Sequence, residues 1–250
     1  MMIFDTHAHY NDEAYNEDLD ALIKDMKSEV CGIINCATNY ASIKKTLELA
    51  KKYNGFIFGA FGVHPSELEN SYDEKFLLEF LNSKYCVAVG EIGLDYHYLD
   101  YDKKAQKEWL INQIKLAKKV NKPVILHDRD SHADILEIIK EFNPSGVLHC
   151  FSGSVEMMRE VLKCGLFIGV GGVVTFKNAK KLVECVKELP LNRLLLETDA
   201  PYLSPEPNRG KRNRSDYIKF VAEKIADIKG ISTEEVLKAN LENTKNLFGI

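Results

Sequence analysis

Residues Ile3-Phe4-Asp5-Thr6-His7-Ala8-His9 carry a short apolar run into two histidines. The run reads as a strand over about residues 2–5. Side chains at i and i+2 of a strand point to one face, so His7 and His9 can aim their rings at one point. Imidazole is the commonest biological metal ligand, and two of them make half a site. Taken alone, the pair is equally a hydrogen-bonded core histidine beside a surface one. What decides is whether other chemistry-bearing residues recur at equivalent places along the chain.

They do, because short apolar runs alternate with amphipathic ones throughout. Strands are predicted near residues 2–5, 32–37, 56–62, 87–91, 124–127, 146–149, 167–169 and 194–197. Helices are predicted between them, over about residues 18–27, 103–120, 134–142, 155–163 and 180–188, and around Ile43–Leu47–Ala50 and residues 76–81. The long helix at 103–120 turns Ala105, Trp109, Leu110, Ile114 and Ala117 inward, at helical spacing. From about Tyr217 two more helices follow, the second opened by the capping box Ser232-Thr-Glu-Glu235. Eight strands alternating with helices within 250 residues predict an α/β protein, a (β/α)8 TIM barrel spanning residues 1–250 as one domain. An open doubly wound sheet is the main competitor, but no GxGxxG follows the first strand.

The chain is large enough to bury its own core without staples. Its net charge of -4 argues against a protein that grips nucleic acid over its whole surface, so any phosphate contact must be local. The six cysteines sit inside apolar runs without a CxxC pair, as buried thiols of a reducing compartment do. No basic segment leads into a long apolar stretch, and none approaches a membrane span. The expectation is a cytoplasmic protein without membrane or obligate protein partner.

Polar residues fall at the strand ends. His7 and His9 follow the first strand, Glu91 ends the fourth, His127 the fifth and His149 the sixth, and Asp199 follows the eighth. In a barrel these ends converge on the rim that carries the active site. Four histidines and two carboxylates can hold two divalent metals with a carboxylate as bridge, a set suited to Zn or Mn rather than Ca.

Around these residues the chain resembles the TatD family of metal-dependent deoxyribonucleases, among the amidohydrolase-like barrel hydrolases. The matching stretches are DTHAH at the start, GVHP at 62–65, GEIGLDYH at 90–97, HDRD at 127–130, HCFSG at 149–153, ETDAPYL at 197–203, RGKRN at 209–213 and NTKNLF at 243–248. They run through the whole chain in family order. The resemblance implies that His7, His9, Glu91, His127, His149 and Asp199 are ligands to two divalent ions (Mg, Mn or Zn), with Glu91 between them. It also implies hydrolysis of DNA phosphodiesters, as 3′-5′ exonuclease action on single strands.

The chemistry stands on its own terms as well. Two ions about 3.5–4 Å apart clamp the attacking and leaving oxygens of a phosphoryl transfer and make hydroxide available at neutral pH. Asp199 is well placed to act as base on the attacking water, and with Glu91 forms the predicted catalytic pair.

Further candidates bear on substrate. His64, before Pro65 on the same rim, is read as a phosphate contact. Arg129 can reach phosphate, or pair with Asp130 or Asp134. Arg209, Lys211, Arg212 and Arg214 cluster after the eighth strand, where a nucleic-acid backbone would track. His97 and His132 read as surface or helix-capping residues. Tyr96, Tyr98 and Tyr101 read as packing residues more than base-stacking ones. Two positions depart from the family pattern: Ser66 where a histidine often follows GVHP, and Arg214-Ser215 where Glu-Pro often follows RGKRN. Both lie where substrate should pass.

Three alternatives remain open. One is a barrel amidohydrolase acting on a small amide, lactone or ester, although many such enzymes bridge their metals with a carboxylated lysine where this chain offers Glu91. Another is removal of an aminoacyl group from tRNA. A third is a metal- or nucleic-acid-binding protein without catalysis, which the complete ligand set argues against.

Overall fold

The computed structural model describes residues 2–68, 72–97 and 102–250. Eight parallel strands lie side by side in chain order: β1 (Ile3–Ala8), β2 (Val30–Cys36), β3 (Ile57–Ala60), β4 (Cys86–Asp95), β5 (Val124–Arg129), β6 (Gly146–Leu148), β7 (Phe167–Val170) and β8 (Leu194–Leu196). The alternating helices are α1 (Leu19–Met26), α2 (Tyr40–Lys52), α3 (Glu74–Leu81), α4 (Lys103–Lys119), α5 (His132–Phe142), α6 (Val155–Lys163) and α7 (Lys180–Glu188), followed by α8 (Ile218–Lys229) and α9 (Thr233–Phe248). This is the predicted (β/α)8 barrel. The capping box at Ser232 is also present, with Glu235 N–H donating to Ser232 Oγ and Ser232 N–H to Glu235 Oε2.

Strand ends differ from expectation where the site is built. β1 continues to Ala8, and β4 runs ten residues to Asp95, every one buried. Both carry a register shift: between Asp5 and Ala8 against β2, and between Val89 and Ile92 against β5. His7 sits in the first shift and Glu91 in the second. Such irregularities re-aim a side chain that strict alternation would send elsewhere. β8, by contrast, stops at Leu196, which leaves Glu197 and Asp199 on the segment beyond it.

The strands bury one set of side chains against the helices and the alternate set within the barrel. Ile34, Cys36, Ala88, Ile125, Val147 and Leu195 form the inner cluster, closed below by Phe4, Phe167 and Phe248. Ile33, Ile57, Val124, Leu126, Leu148 and Ile168 pack outward in the larger core. The inward face of α4 is not wholly apolar. Gln106 and Gln113, seven residues apart, are buried there, and each clamps a backbone: Gln106 bonds Asp95 N–H and C=O, and Gln113 bonds Val63 N–H and C=O.

The barrel closes between β8 and β1 through a thinner seam. Ala8 and Ala200 form an isolated parallel bridge. His9 N–H donates to Ala200 O at 2.7 Å and Asp199 N–H to His7 O at 2.9 Å. Thr6 Oγ1 donates to Leu196 O at 3.0 Å. Asn240 of α9 spans the seam from below: its Oδ1 accepts from Leu196 N–H at 2.8 Å and its Nδ2 donates to Phe4 O at 2.9 Å.

Candidate metal centre and active site

Glu91 stands at the middle of the rim, 4% exposed, with histidines on both sides of its carboxylate. Oε2 faces His7 Nε2 at 3.3 Å and His9 Nε2 at 3.4 Å. Oε1 faces His127 Nδ1 and His149 Nε2, each at 2.8 Å, and His64 Nε2 at 3.6 Å. Asp199 Oδ1 closes the first group, 3.7 Å from His7 Nε2 and 3.3 Å from His9 Nε2. The six residues expected as metal ligands are thus brought together from β1, β4, β5 and the segments after β1, β6 and β8.

The spacing suits a metal. In a tetrahedral zinc site with bonds of about 2.0–2.1 Å, neighbouring donor atoms lie about 3.4 Å apart. The measured edges among His7, His9, Glu91 and Asp199 run from 3.0 Å to 3.7 Å. On the other side, His127 Nδ1 and His149 Nε2 are 3.2 Å apart, and each is 2.8 Å from Glu91 Oε1. Converging imidazole and carboxylate lone pairs at these distances repel unless a cation or protons lie among them. Each side is therefore a candidate cation site, with one Glu91 oxygen turned to each.

Most of these rings also have an oxygen behind them, hydrogen-bonded for His9 and farther off, as a nearby carboxylate, for His127 and His149. His9 Nδ1 lies 2.9 Å from Cys36 O, His127 Nε2 3.5 Å from Asp95 Oδ2, and His149 Nδ1 3.7 Å from Glu197 Oε1. An acceptor behind a histidine fixes which nitrogen turns its lone pair forward, and makes that lone pair more basic. Glu197 is 1% exposed and also accepts the Cys150 N–H through Oε1. Gly169 makes room for it: a Cβ there would collide with the Glu197 carboxylate. The sequence reading missed Asp95 and Glu197. The signal lay in the motifs themselves, because a ligand histidine needs an outer acceptor, and these two carboxylates stand four residues after Glu91 and two before Asp199.

His64 differs from its neighbours. It caps a short 3-10 turn, and the Ser66 N–H donates to its Nδ1 at 3.1 Å. A backbone N–H can only donate, so Nδ1 is an acceptor and the ring proton sits on Nε2. Burial drives its pKa down to about 3, against the opposing pull of Glu91. His64 is therefore a neutral ring that turns an N–H, not a lone pair, towards the centre. Ser66 makes this possible, its Oγ lying 2.7 Å from the same Nδ1.

The charges are set by neighbours. Burial pushes the Glu91 carboxyl up, but the facing histidines, His149 foremost, reverse this and hold it well below the usual range. Asp199 behaves likewise: burial raises it, and the hydrogen bond and charge of His9 bring it below its ordinary value. Burial disfavours the His149 imidazolium, yet Glu91 and Glu197 together raise its pKa well above the ordinary value.

The centre opens into a cavity of about 790 Å³. His9, His64, Glu91, His127, His149 and Asp199 line its floor; Asp95, Asp128, Arg129, Tyr202 and Leu203 line its walls and mouth. Arg129 Nη1 is 4.0 Å from Asp95 Oδ2. The basic cluster is placed differently. Arg212 pairs with Asp18 and Arg214 with Asp25 and Asp216, which ties the loop after β8 to α1. Arg209 lies over the Phe176 ring, and Lys211 donates to Asn208. None of these four lines the cavity. Ser215 Oγ donates to Asp5 Oδ2 at 2.6 Å and lies 2.8 Å from Tyr10 OH. His97 pairs with Asp130 and His132 with Asp128. Tyr96 packs against the core and donates to Asp134, whereas Tyr98 and Tyr101 lie outside the described residues.

A barrel whose strand ends gather histidines and carboxylates at metal-ligand spacing is the frame of a metal-dependent hydrolase. The family described as TatD related DNase matches residues 4–249. The chain is 45% identical over 255 residues to an uncharacterized metal-dependent hydrolase, YabD, of Bacillus subtilis, covering 100% of both. It is 37% identical over 257 residues to the uncharacterized metal-dependent hydrolase YcfH of Escherichia coli, covering 100% of this chain and 97% of YcfH. Among solved structures, the TatD homologue YjjV of Escherichia coli superposes with a TM-score of 0.91 at 34% identity, over 99% of this chain and 98% of that one. The protein belongs to the TatD family and is a metal-dependent hydrolase.

Proposed function

We propose that the protein hydrolyses phosphodiester bonds of DNA, working from the 3′ end of single strands, with two divalent ions shared through Glu91. The observation that carries this reading is the division of Glu91: Oε2 faces the His7–His9–Asp199 group and Oε1 the His127–His149 pair. Bound there, divalent ions supply Lewis acidity at a phosphoryl oxygen and lower the pKa of water towards neutrality. The chain's own residues do the rest. Asp199, ionised and open to the cavity, accepts the proton of the attacking water through its carboxylate. His64 keeps a fixed proton on Nε2 and donates it as a hydrogen bond to a phosphoryl oxygen, where negative charge grows as the bond breaks. Arg129 at the wall offers a guanidinium to the same phosphate or its neighbour. Arg209, Lys211 and Arg212 lie outside the cavity, so in this reading they attract a strand by charge at longer range and do not hold it by contact.

The experiment is digestion of 3′- and 5′-labelled single-stranded oligonucleotides by metal-stripped protein supplied with Mg²⁺, Mn²⁺ or Zn²⁺. Aminoacyl-tRNA and a lactone serve as rival substrates. Stepwise loss of the 3′ label, abolished in His149→Ala and Asp199→Ala, is expected. Protein that binds metal and turns over only a rival substrate refutes the nuclease reading.

A further inference from the structure

Tyr202 and Leu203 are two of only three large hydrophobic residues exposed among those described, at 54% and 38%. They are adjacent, and both line the mouth of the cavity whose floor is the metal centre. Their exposure is built rather than incidental. Tyr202 N–H donates to Asp199 O at 2.8 Å, which ties it to a metal-ligand candidate. Its carbonyl accepts from Asn213 Nδ2 at 2.7 Å, and its hydroxyl donates to Asp12 Oδ2 at 2.9 Å. Leu203 is held at φ 53°, a left-handed conformation that is sterically unfavourable for leucine. Gly172 helps to fix it there, since the Leu203 carbonyl fills the space where a Cβ would stand. Strain imposed by surrounding structure, at the lip of a cavity, marks a place where the side chain's direction matters. Water gains nothing from an apolar pair presented this way; a flat apolar ligand does.

We infer that Tyr202, backed by Leu203, is a stacking platform for the nucleobase next to the scissile phosphate. This rests on the nuclease reading above and gives it a contact for the base. An aromatic face accepts any base, so the platform favours ends that carry a base without selecting which one. The tether of the hydroxyl to Asp12 leaves the ring in one orientation, which lowers the ordering cost of stacking.

The test compares two oligonucleotides: one with an ordinary 3′-terminal thymidine, one whose 3′-terminal nucleotide is a base-free tetrahydrofuran analogue. Wild-type protein is expected to favour the first, in kcat/KM, by between about 5- and 100-fold. Tyr202→Ala should collapse this ratio towards one, chiefly through KM, while Tyr202→Phe, which keeps the aromatic face but not the tether to Asp12, retains most of it. The ratio is internal to each variant, so partial loss of folded protein does not imitate the effect. A second readout is the quenching of 2-aminopurine at the 3′ end of an oligonucleotide with a non-hydrolysable terminal linkage on binding to Zn²⁺-loaded protein, lost in Tyr202→Ala. An unchanged ratio and unchanged quenching in Tyr202→Ala overturn the platform while sparing the nuclease assignment. A wild-type protein that neither cleaves nor quenches either oligonucleotide overturns both.

Discussion

Asn240→Ala tests how the barrel is closed. Asn240 is wholly buried and holds both sides of the seam at once, accepting from Leu196 N–H and donating to Phe4 O. Alanine leaves a buried donor and a buried acceptor without partners. Each orphaned group costs about 1–3 kcal/mol, so the loss is about 4 kcal/mol for the two together. Unfolding entropy of about 2.1 cal/mol/K per residue converts this to a fall of about 8 °C in Tm. Scanning calorimetry on metal-free protein is the assay, because bound metal would mask the change. Asn240→Asp keeps the acceptor for Leu196 but turns a second oxygen towards Phe4 O, so it should lose at least as much. A drop of less than about 2 °C in both variants would refute the claim that this side chain closes the seam.

Three further outcomes follow from the site. Glu91→Gln should lower the metal bound per chain, measured by elemental analysis, since one of the two oxygens facing the histidines becomes an amide nitrogen; metal content equal to wild type would remove Glu91 from the centre. Metal binding should release protons and tighten as pH rises through neutrality. His149, its pKa raised well above 6.5 by Glu91 and Glu197, holds a proton that the ion must displace. Titration calorimetry in buffers of different ionisation enthalpy measures this, and a pH-independent affinity between pH 6 and 8 would contradict it. Ser215→Ala should destabilise the protein by about 1 kcal/mol, by taking one donor from Asp5 and one of the partners of Tyr10; chemical denaturation checks this, and no measurable change would show the network to be idle.

The sequence made the strand order and the six-residue cluster legible for one reason. Each ligand stands at or just beyond the end of an apolar run, and a parallel barrel has one place to put such ends. It was silent where contacts depend on register. That His7 and Glu91 lie at shifts in strand pairing follows from how β1 meets β2 and β4 meets β5, which periodicity does not encode. Gln106 and Gln113 break an apolar helix face, and only the nearby backbone of Asp95 and Val63 explains them. The basic loop reads as a track for a nucleic-acid backbone because its acidic partners, Asp18 and Asp25, lie nearly two hundred residues upstream, at the start and within a helix that gives no sign of the connection. The proton on His64 Nε2 was likewise out of reach, since it is decided by the Ser66 backbone.

The seam also bears on how the chain acquires its activity. Its bonds join residues 190 to 236 apart in sequence, from Thr6–Leu196 to Phe4–Asn240. Closing so long a loop carries the largest entropy penalty in the fold, and such contacts form late. His7 and His9 sit on one side of the seam and Asp199 on the other. With the seam open, Glu91, His127 and His149 still share neighbouring strands, whereas Asp199 is parted from His7 and His9. Completion of the candidate metal centre is therefore tied to closure of the barrel, because the seam that joins the first strand to the segment after the eighth also joins the two sides of the centre.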